Sequence, residues 1–106
     1  MKVAIASQGN TLEHNIDIQF GHCAFFVLYD KLTGALEISS NPFRDLSEQA
    51  GLQAIKWLAA KDVKTMIAGD FGPKIQALSD QLRMQLIILR KQDMSIQQVI
   101  NLLKNQ

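Results

Sequence analysis

The chain has 106 residues, of which 47% are hydrophobic and 20% charged, and its formal net charge is +1. These values are typical of a globular protein, and we expect one domain that spans residues 1–106. The small net charge excludes a strong general attraction to nucleic acid or to acidic membranes. Cys23 is the only cysteine. An internal disulfide is therefore excluded, and we expect a reducing, cytoplasmic location.

The first part of the chain predicts three strands. Lys2–Ser7 is apolar almost without alternation, which is typical of a central strand covered on both faces. Residues 24–29 form a second apolar run, and residues 35–39 alternate apolar and polar side chains as an outer strand does. The turn between these two runs contains Gly34, which can adopt a positive φ. We expect the three strands to form an antiparallel meander.

The next part predicts a helix, a strand and a second helix. Asp45 and Glu48 have the spacing of a capping box, so the first helix should start at Asp45 and end near Lys61. Val63–Ala68 has the composition of a buried strand. Pro73 then suits the first position of the second helix, since proline has no N–H group to leave unbonded there.

The last part predicts a short strand at residues 86–89 and a third helix. Ser95 and Gln98 fit the cap of that helix, and its apolar residues repeat at helical spacing as Ile96, Val99, Ile100 and Leu103. The element order is β-β-β-α-β-α-β-α. Strands joined through helices run parallel, so we expect an α/β fold with a mixed five-stranded sheet and helices on its faces.

The polar segment at residues 8–23 is the first candidate site. Connections this long in a small domain are usually functional or disordered, and this one holds His14, His22 and Cys23. Imidazole and thiolate are donors that iron and copper sites use. The spacing matches no standard zinc motif. In the alternative interpretation, Cys23 is a small buried residue and His14 an ordinary exposed side chain.

The glycine-rich turn at residues 68–73 is the second candidate site. It connects the carboxyl end of a strand to the start of a helix, where backbone N–H groups attract anions. Gly69 and Gly72 would let the backbone approach a ligand, although Asp70 would oppose an anion. In the alternative interpretation, which the residues alone favour, the two glycines only permit a tight turn, since no Gly-Lys-Ser/Thr motif follows.

Four segments together resemble the dinitrogenase iron–molybdenum cofactor biosynthesis proteins, a family that includes NifX-like proteins and the carboxyl-terminal domain of NifB-like proteins. The similar segments are residues 1–7 (MKVAIAS), 16–26 (IDIQFGHCAFF), 48–54 (EQAGLQA) and 67–73 (IAGDFGP). The chain departs from the family in two places. His22 stands where the family often has arginine, and Asp70 where it often has asparagine.

The resemblance implies a ribonuclease-H-like, three-layer fold and a non-catalytic protein that carries an iron–sulfur or molybdenum-containing cluster in cluster assembly or transfer. His22 and Cys23 would supply metal ligands, His14 a mobile third ligand, and Gly69 and Gly72 backbone contacts. Proteins that donate or accept the cluster would be its partners.

Two other functions remain open in the sequence. The first is a metal-free regulatory or protein-interaction module on the same fold. The second is a nuclease, because ribonuclease-H-like folds host such enzymes, although fold alone is a poor guide to function. The first strand, Lys2–Ser7, carries none of the carboxylates that such an enzyme needs to bind divalent metal.

Overall fold

Five strands and three helices occur in the part of the chain that the structure, a computed structural model, describes, namely residues 1–91 and 93–105. The strands are β1 Lys2–Ser7, β2 Phe25–Asp30, β3 Leu36–Ser40, β4 Val63–Ala68 and β5 Gln85–Ile88. The helices are α1 Ala50–Ala60, α2 Pro73–Gln81 and α3 Ile96–Lys104. Three of the predicted strands, at residues 24–29, 35–39 and 86–89, differ from these bounds by one residue at both ends.

One mixed sheet of order β3-β2-β1-β4-β5 forms the middle layer. The first three strands are antiparallel neighbours, whereas β4 runs parallel to both β1 and β5. In the register at the sheet centre, Ile5 lies opposite Val27 on one side and Ile67 on the other. The predicted meander, the parallel strands and the mixed five-stranded sheet are therefore confirmed.

Helices cover both faces of this sheet. Side chains alternate along β1, so Ala4 and Ala6 pack beneath α1 and α2, while Val3 and Ile5 pack beneath α3. The predicted apolar stripe of the third helix is buried, as the exposures of Ile96, Val99, Ile100 and Leu103 show. The three-layer architecture implied by the resemblance is confirmed.

The helix starts agree with the prediction in two cases out of three. Ser95 caps α3 in a complete capping box with Gln98, and Pro73 opens α2. The predicted start of α1 at Asp45 is wrong, because this helix begins at Ala50 after Gln49. Within the described residues, no helix is both long enough and apolar enough to cross a membrane.

The connection between β1 and β2 contacts two different parts of the fold. Its first half reaches α3, where the carbonyls of Leu12 and His14 accept hydrogen bonds from the first two N–H groups of that helix. Its second half, from Asp17, runs beside the turn that follows β4. One polar segment therefore places its residues at two separate locations.

Candidate functional site

An open pocket of about 790 Å³ lies beyond the carboxyl end of β4, at the starts of α1 and α2. Its volume is in the range of small-ligand sites. Ligands of open α/β sheets bind at this kind of position, outside the carboxyl ends of parallel strands. Three segments form the walls, and the residues are Ile18, Gln19, Phe20, Gly21, His22, Glu48, Gln49, Gly51, Leu52, Asp70, Phe71, Gly72, Lys74 and Ile75.

Close backbone contacts hold the walls together. The N–H group of Gly69 donates to the carbonyl of Asp17 at 3.0 Å, and that of Asp70 donates to the carbonyl of Ile18 at 2.8 Å. A Cβ atom on Gly69 would lie 2.6 Å from the Cα of Ile18. On this side Gly69 therefore packs against the backbone of Ile18, and it is not among the residues that line this pocket.

The starts of α1 and α2 present backbone donors to the pocket. The first N–H groups of a helix have no partner within the helix. Among residues 1–91 and 93–105, no side chain accepts a hydrogen bond at the N-cap of α1, Gln49, or at that of α2, Gly72. At α3, by contrast, two loop carbonyls and the Ser95 hydroxyl accept bonds from the first three N–H groups. Pro73 has no N–H group and the N–H of Ile75 donates to the Gly72 carbonyl, so α2 keeps the N–H of Lys74, and α1 keeps its first three N–H groups, as donors that suit an anion.

His22 lines the pocket with a defined tautomer. Its Nδ1 lies 2.9 Å from the backbone carbonyl oxygen of Arg44. Because a carbonyl oxygen can only accept, Nδ1 carries the proton and donates it. The neutral ring then keeps the lone pair of Nε2 for another partner. Metal-binding histidines usually make this kind of second hydrogen bond.

The charged side chains at the pocket have both signs. Lys74 is positive, whereas Glu48 and Asp70 are negative. The Asp70 Oδ1 accepts a hydrogen bond from the N–H of Phe71 and lies 3.8 Å from Nη2 of Arg90. The Asp70 carboxylate is therefore partly compensated, Glu48 would oppose an anion, and the groups that attract one are the helix starts and Lys74.

His14 lies in the half of the connection that contacts α3. Its Nδ1 accepts the N–H of Thr11 at 3.3 Å and lies 2.8 Å from the Thr11 hydroxyl. Because Nδ1 accepts, the proton of the neutral ring is on Nε2. The ring also lies against Gly9, where a Cβ atom would meet it at 2.3 Å. His14 therefore has neither the position nor the free lone pair to join His22.

Cys23 is buried in the core beneath α1 and α2. Burial, and to a smaller extent the negative charge of Asp17, raises the pKa of its thiol to about 12. The buried amide of Asn41 lies 3.8 Å from the sulfur and donates to the carbonyls of Gly21 and Cys23. A neutral, enclosed thiol is a poor metal ligand, because the thiolate is the form that binds metal.

The expected convergence of His14, His22 and Cys23 is therefore not found in the structure. Within residues 1–91 and 93–105, no three His, Cys, Asp or Glu side chains are close enough to hold a metal ion. The physical reason is that the first half of the connection is bonded to the start of α3 and the second half to the turn after β4, and that the Cys23 thiol is packed into the hydrophobic core. Of the five predicted site residues, His22 and Gly72 line the pocket.

The burial of Cys23 predicts a change of stability with pH. Only the unfolded chain can ionise near the ordinary thiol pKa of 9.0, since the folded value is about 12. The contribution of Cys23 to the free energy of unfolding should therefore be complete below pH 9 and decrease by roughly 1.4 kcal/mol per pH unit between pH 9 and about 12.

Denaturant titrations at several pH values would measure this slope against Cys23→Ala, in which the contribution is removed. A native thiol that reacts with a disulfide reagent at pH 8 as fast as the unfolded thiol would contradict the buried position.

Sequence reasoning missed the roles of Asn41, Gln49 and Lys74. In the sequence, Asn41 indicates only the end of a strand before Pro42. In the structure its side chain donates to the carbonyls on either side of His22 and accepts the N–H of Phe43 just after β3. Lys74 follows Pro73 at the start of α2, and this position beside a helix start was an available signal. The left-handed backbone of Gln49 could not be predicted from the sequence, because it depends on how the preceding segment folds.

Comparison with known proteins agrees with this architecture. The family model described as dinitrogenase iron-molybdenum cofactor matches residues 1–106. The apo form of the orange protein (ORP) of Desulfovibrio gigas superposes with a TM-score of 0.86 at 26% identity, over 94% of this chain and 83% of that protein. A Thermotoga protein named as a NifB candidate superposes with a TM-score of 0.81 at 22% identity, over 98% and 87%. A search of curated proteins finds no match.

Proposed function

The chain belongs to the dinitrogenase iron–molybdenum cofactor family, and from this membership we propose that it binds and carries an iron–sulfur or molybdenum-containing cluster without catalysing a reaction. The observation that carries the proposal is the pocket on which two uncapped helix starts and His22 converge. Proteins that donate and accept the cluster in the cytoplasm are the partners we expect.

The donor set decides which kind of cluster fits. Protein-bound iron–sulfur clusters usually need several cysteine thiolates, and the one cysteine of this chain, Cys23, is buried. A cluster whose metals are held by cysteine thiolates of this protein therefore does not fit. A preassembled anionic cluster that brings its own sulfide ligands fits a pocket of about 790 Å³ with backbone donors and one imidazole.

Each part of the pocket then has a role toward the cargo. The Nε2 of His22 would coordinate one metal, and the bond from Nδ1 to the Arg44 carbonyl would hold the ring in place. The N–H groups at the start of α1 and the N–H of Lys74 in α2 would bond the outer sulfides, and the Lys74 side chain would add positive charge. A single protein ligand in an open pocket allows the cargo to leave, as a carrier requires.

The test is anaerobic incubation with a cluster assembled beforehand from iron and sulfide, or from molybdate and sulfide, followed by gel filtration and absorption spectroscopy. Wild-type protein should retain a charge-transfer band, and His22→Ala should retain at least tenfold less colour, as metal sites with a missing ligand do. His14→Ala is the matched control and should bind as wild type, because His14 lies outside the pocket.

Two results would contradict the proposal. Wild-type protein that stays colourless with both mixtures would exclude cluster carriage. Equal colour in wild type and His22→Ala would show that the protein binds the cluster but that His22 is not a ligand.

A second candidate function is a metal-free module that binds a small anion at the same place. The observation that favours it is the absence, within the described residues, of any group of three metal-binding side chains. Elemental analysis of protein purified without oxygen distinguishes the two. A carrier should retain iron or molybdenum together with sulfide, whereas the metal-free module should contain neither.

A further inference from the structure

The segment that precedes α1 has a helix-start sequence in a non-helical conformation. Asp45 and Glu48 have the spacing of a capping box, yet α1 begins only at Ala50. The intervening residues are exposed, and the large apolar side chain of Leu46 is 42% exposed. In a helix extended back to Asp45, Leu46 would lie one turn before the buried Ala50, on the same side of the helix.

Gln49 has an unfavourable backbone conformation in this segment. Its φ of 63° lies in the left-handed region, which is unfavourable for a residue with a Cβ atom. Gln49 also lines the pocket. Unusual backbone of this kind persists only where surrounding contacts maintain it, and it is often found at ligand sites.

We propose that residues 45–49 exchange between the observed turn and one additional turn of α1, and that only the observed form can bind the cargo. In the extended helix, the N–H groups of residues 50–52 would bond to the carbonyls of residues 46–48. The donors that α1 now presents to the pocket would then be used within the helix. This inference rests on the proposed function only for the identity of the anion whose binding is regulated.

The contacts that oppose this exchange are few. Within the described chain, the backbone bonds specific to the turn run from Arg44 to the Asn41 carbonyl at 3.4 Å and from Leu46 to the Phe43 carbonyl at 3.2 Å. Both are long for N–H···O bonds. One added turn would lengthen α1 by about 6 Å, and residues 42–44 would span the remaining gap to β3. The Arg44 carbonyl that fixes His22 lies within this segment, so the exchange would also affect the imidazole.

Amide hydrogen exchange of the cargo-free protein tests this conformational change directly. Gln49→Gly favours the left-handed turn and Gln49→Ala favours the helix. The amides of residues 50–52 should therefore exchange at least about tenfold more slowly in Gln49→Ala than in Gln49→Gly. Arg83, with a φ of 57° after α2 and outside the pocket, provides the control pair Arg83→Gly and Arg83→Ala, which should leave these amides unchanged.

Binding of the thiomolybdate formed from molybdate and sulfide provides the second measurement. Its dissociation constant should be at least about fivefold larger for Gln49→Ala than for Gln49→Gly, and equal within the Arg83 pair. Equal amide protection in the two Gln49 variants would overturn the switch, even if both bind the anion. Different protection without binding by any variant would overturn the proposed function and leave the switch supported.

Discussion

Gly72→Asp should weaken the binding of an anionic cluster by about 100-fold, because it places a negative charge at the mouth of the pocket. The same substitution should raise the free energy of unfolding by about 0.5 kcal/mol, because aspartate is a better N-cap than glycine. Its carboxylate would accept a hydrogen bond from the N–H of Lys74, the donor at the start of α2 that otherwise remains for the cargo. Isothermal titration with thiomolybdate and denaturant unfolding would measure the two effects.

The local backbone makes this substitution informative. Gly72 has a φ of −66° and a ψ of 160°, which any residue can adopt. Among the described residues, a Cβ atom at this position would meet nothing within 4 Å. Weaker binding could therefore not be attributed to a damaged fold, particularly if the protein becomes more stable.

Gly72→Asn is the matched control. It has nearly the same shape and also caps the helix, but it adds no charge. We expect it to weaken binding less than Gly72→Asp does, and the difference between the two measures the charge effect. If Gly72→Asp is more stable and binds the anion as tightly as wild type, the start of α2 does not contact the cargo.

The fold was predictable because, along most of the chain, the hydrophobic pattern and the turn and cap residues favour the same secondary structure. The unbroken apolar run of β1 required cover on both faces, and the helical spacing from Ile96 to Leu103 required one buried side. Both requirements are local. At α1 the local pattern was misleading. Asp45 and Glu48 have the spacing of a helix start, whereas in the structure the N–H of Phe43 donates to the side chain of Asn41 and Gln49 has a left-handed backbone.

The position of the pocket was predictable from the sequence, but the side chains that line it were not. Its place beyond β4 follows from the parallel strands and from the glycine turn. Which of His14, His22 and Cys23 reaches that place depends on partners distant in sequence, such as the Arg44 carbonyl, the amide of Asn41 and the start of α3. Composition reveals that a loop contains metal-binding groups, but not the direction in which each side chain points.

Gly69→Ala should lower the free energy of unfolding by about 3 kcal/mol, whereas Gly72→Ala should lower it by no more than about 1 kcal/mol. The two glycines lie in one turn and look equivalent in the sequence. At Gly69, however, the new methyl group would meet the backbone of Ile18 at 2.6 Å. A backbone atom in a bonded segment cannot move away as a flexible side chain can, so the two paired segments would have to separate.

Urea unfolding of the two variants at the same pH measures this difference, and Gly72→Ala serves as the control for adding a methyl group to the turn. The separation at Gly69 should also release the hydrogen bonds from Gly69 to Asp17 and from Asp70 to Ile18. Those two amides should therefore exchange faster in Gly69→Ala but not in Gly72→Ala. Similar stability of both variants would show that the loop does not pack against the turn after β4, and the wall of the pocket formed by residues 18–22 would have to be placed elsewhere.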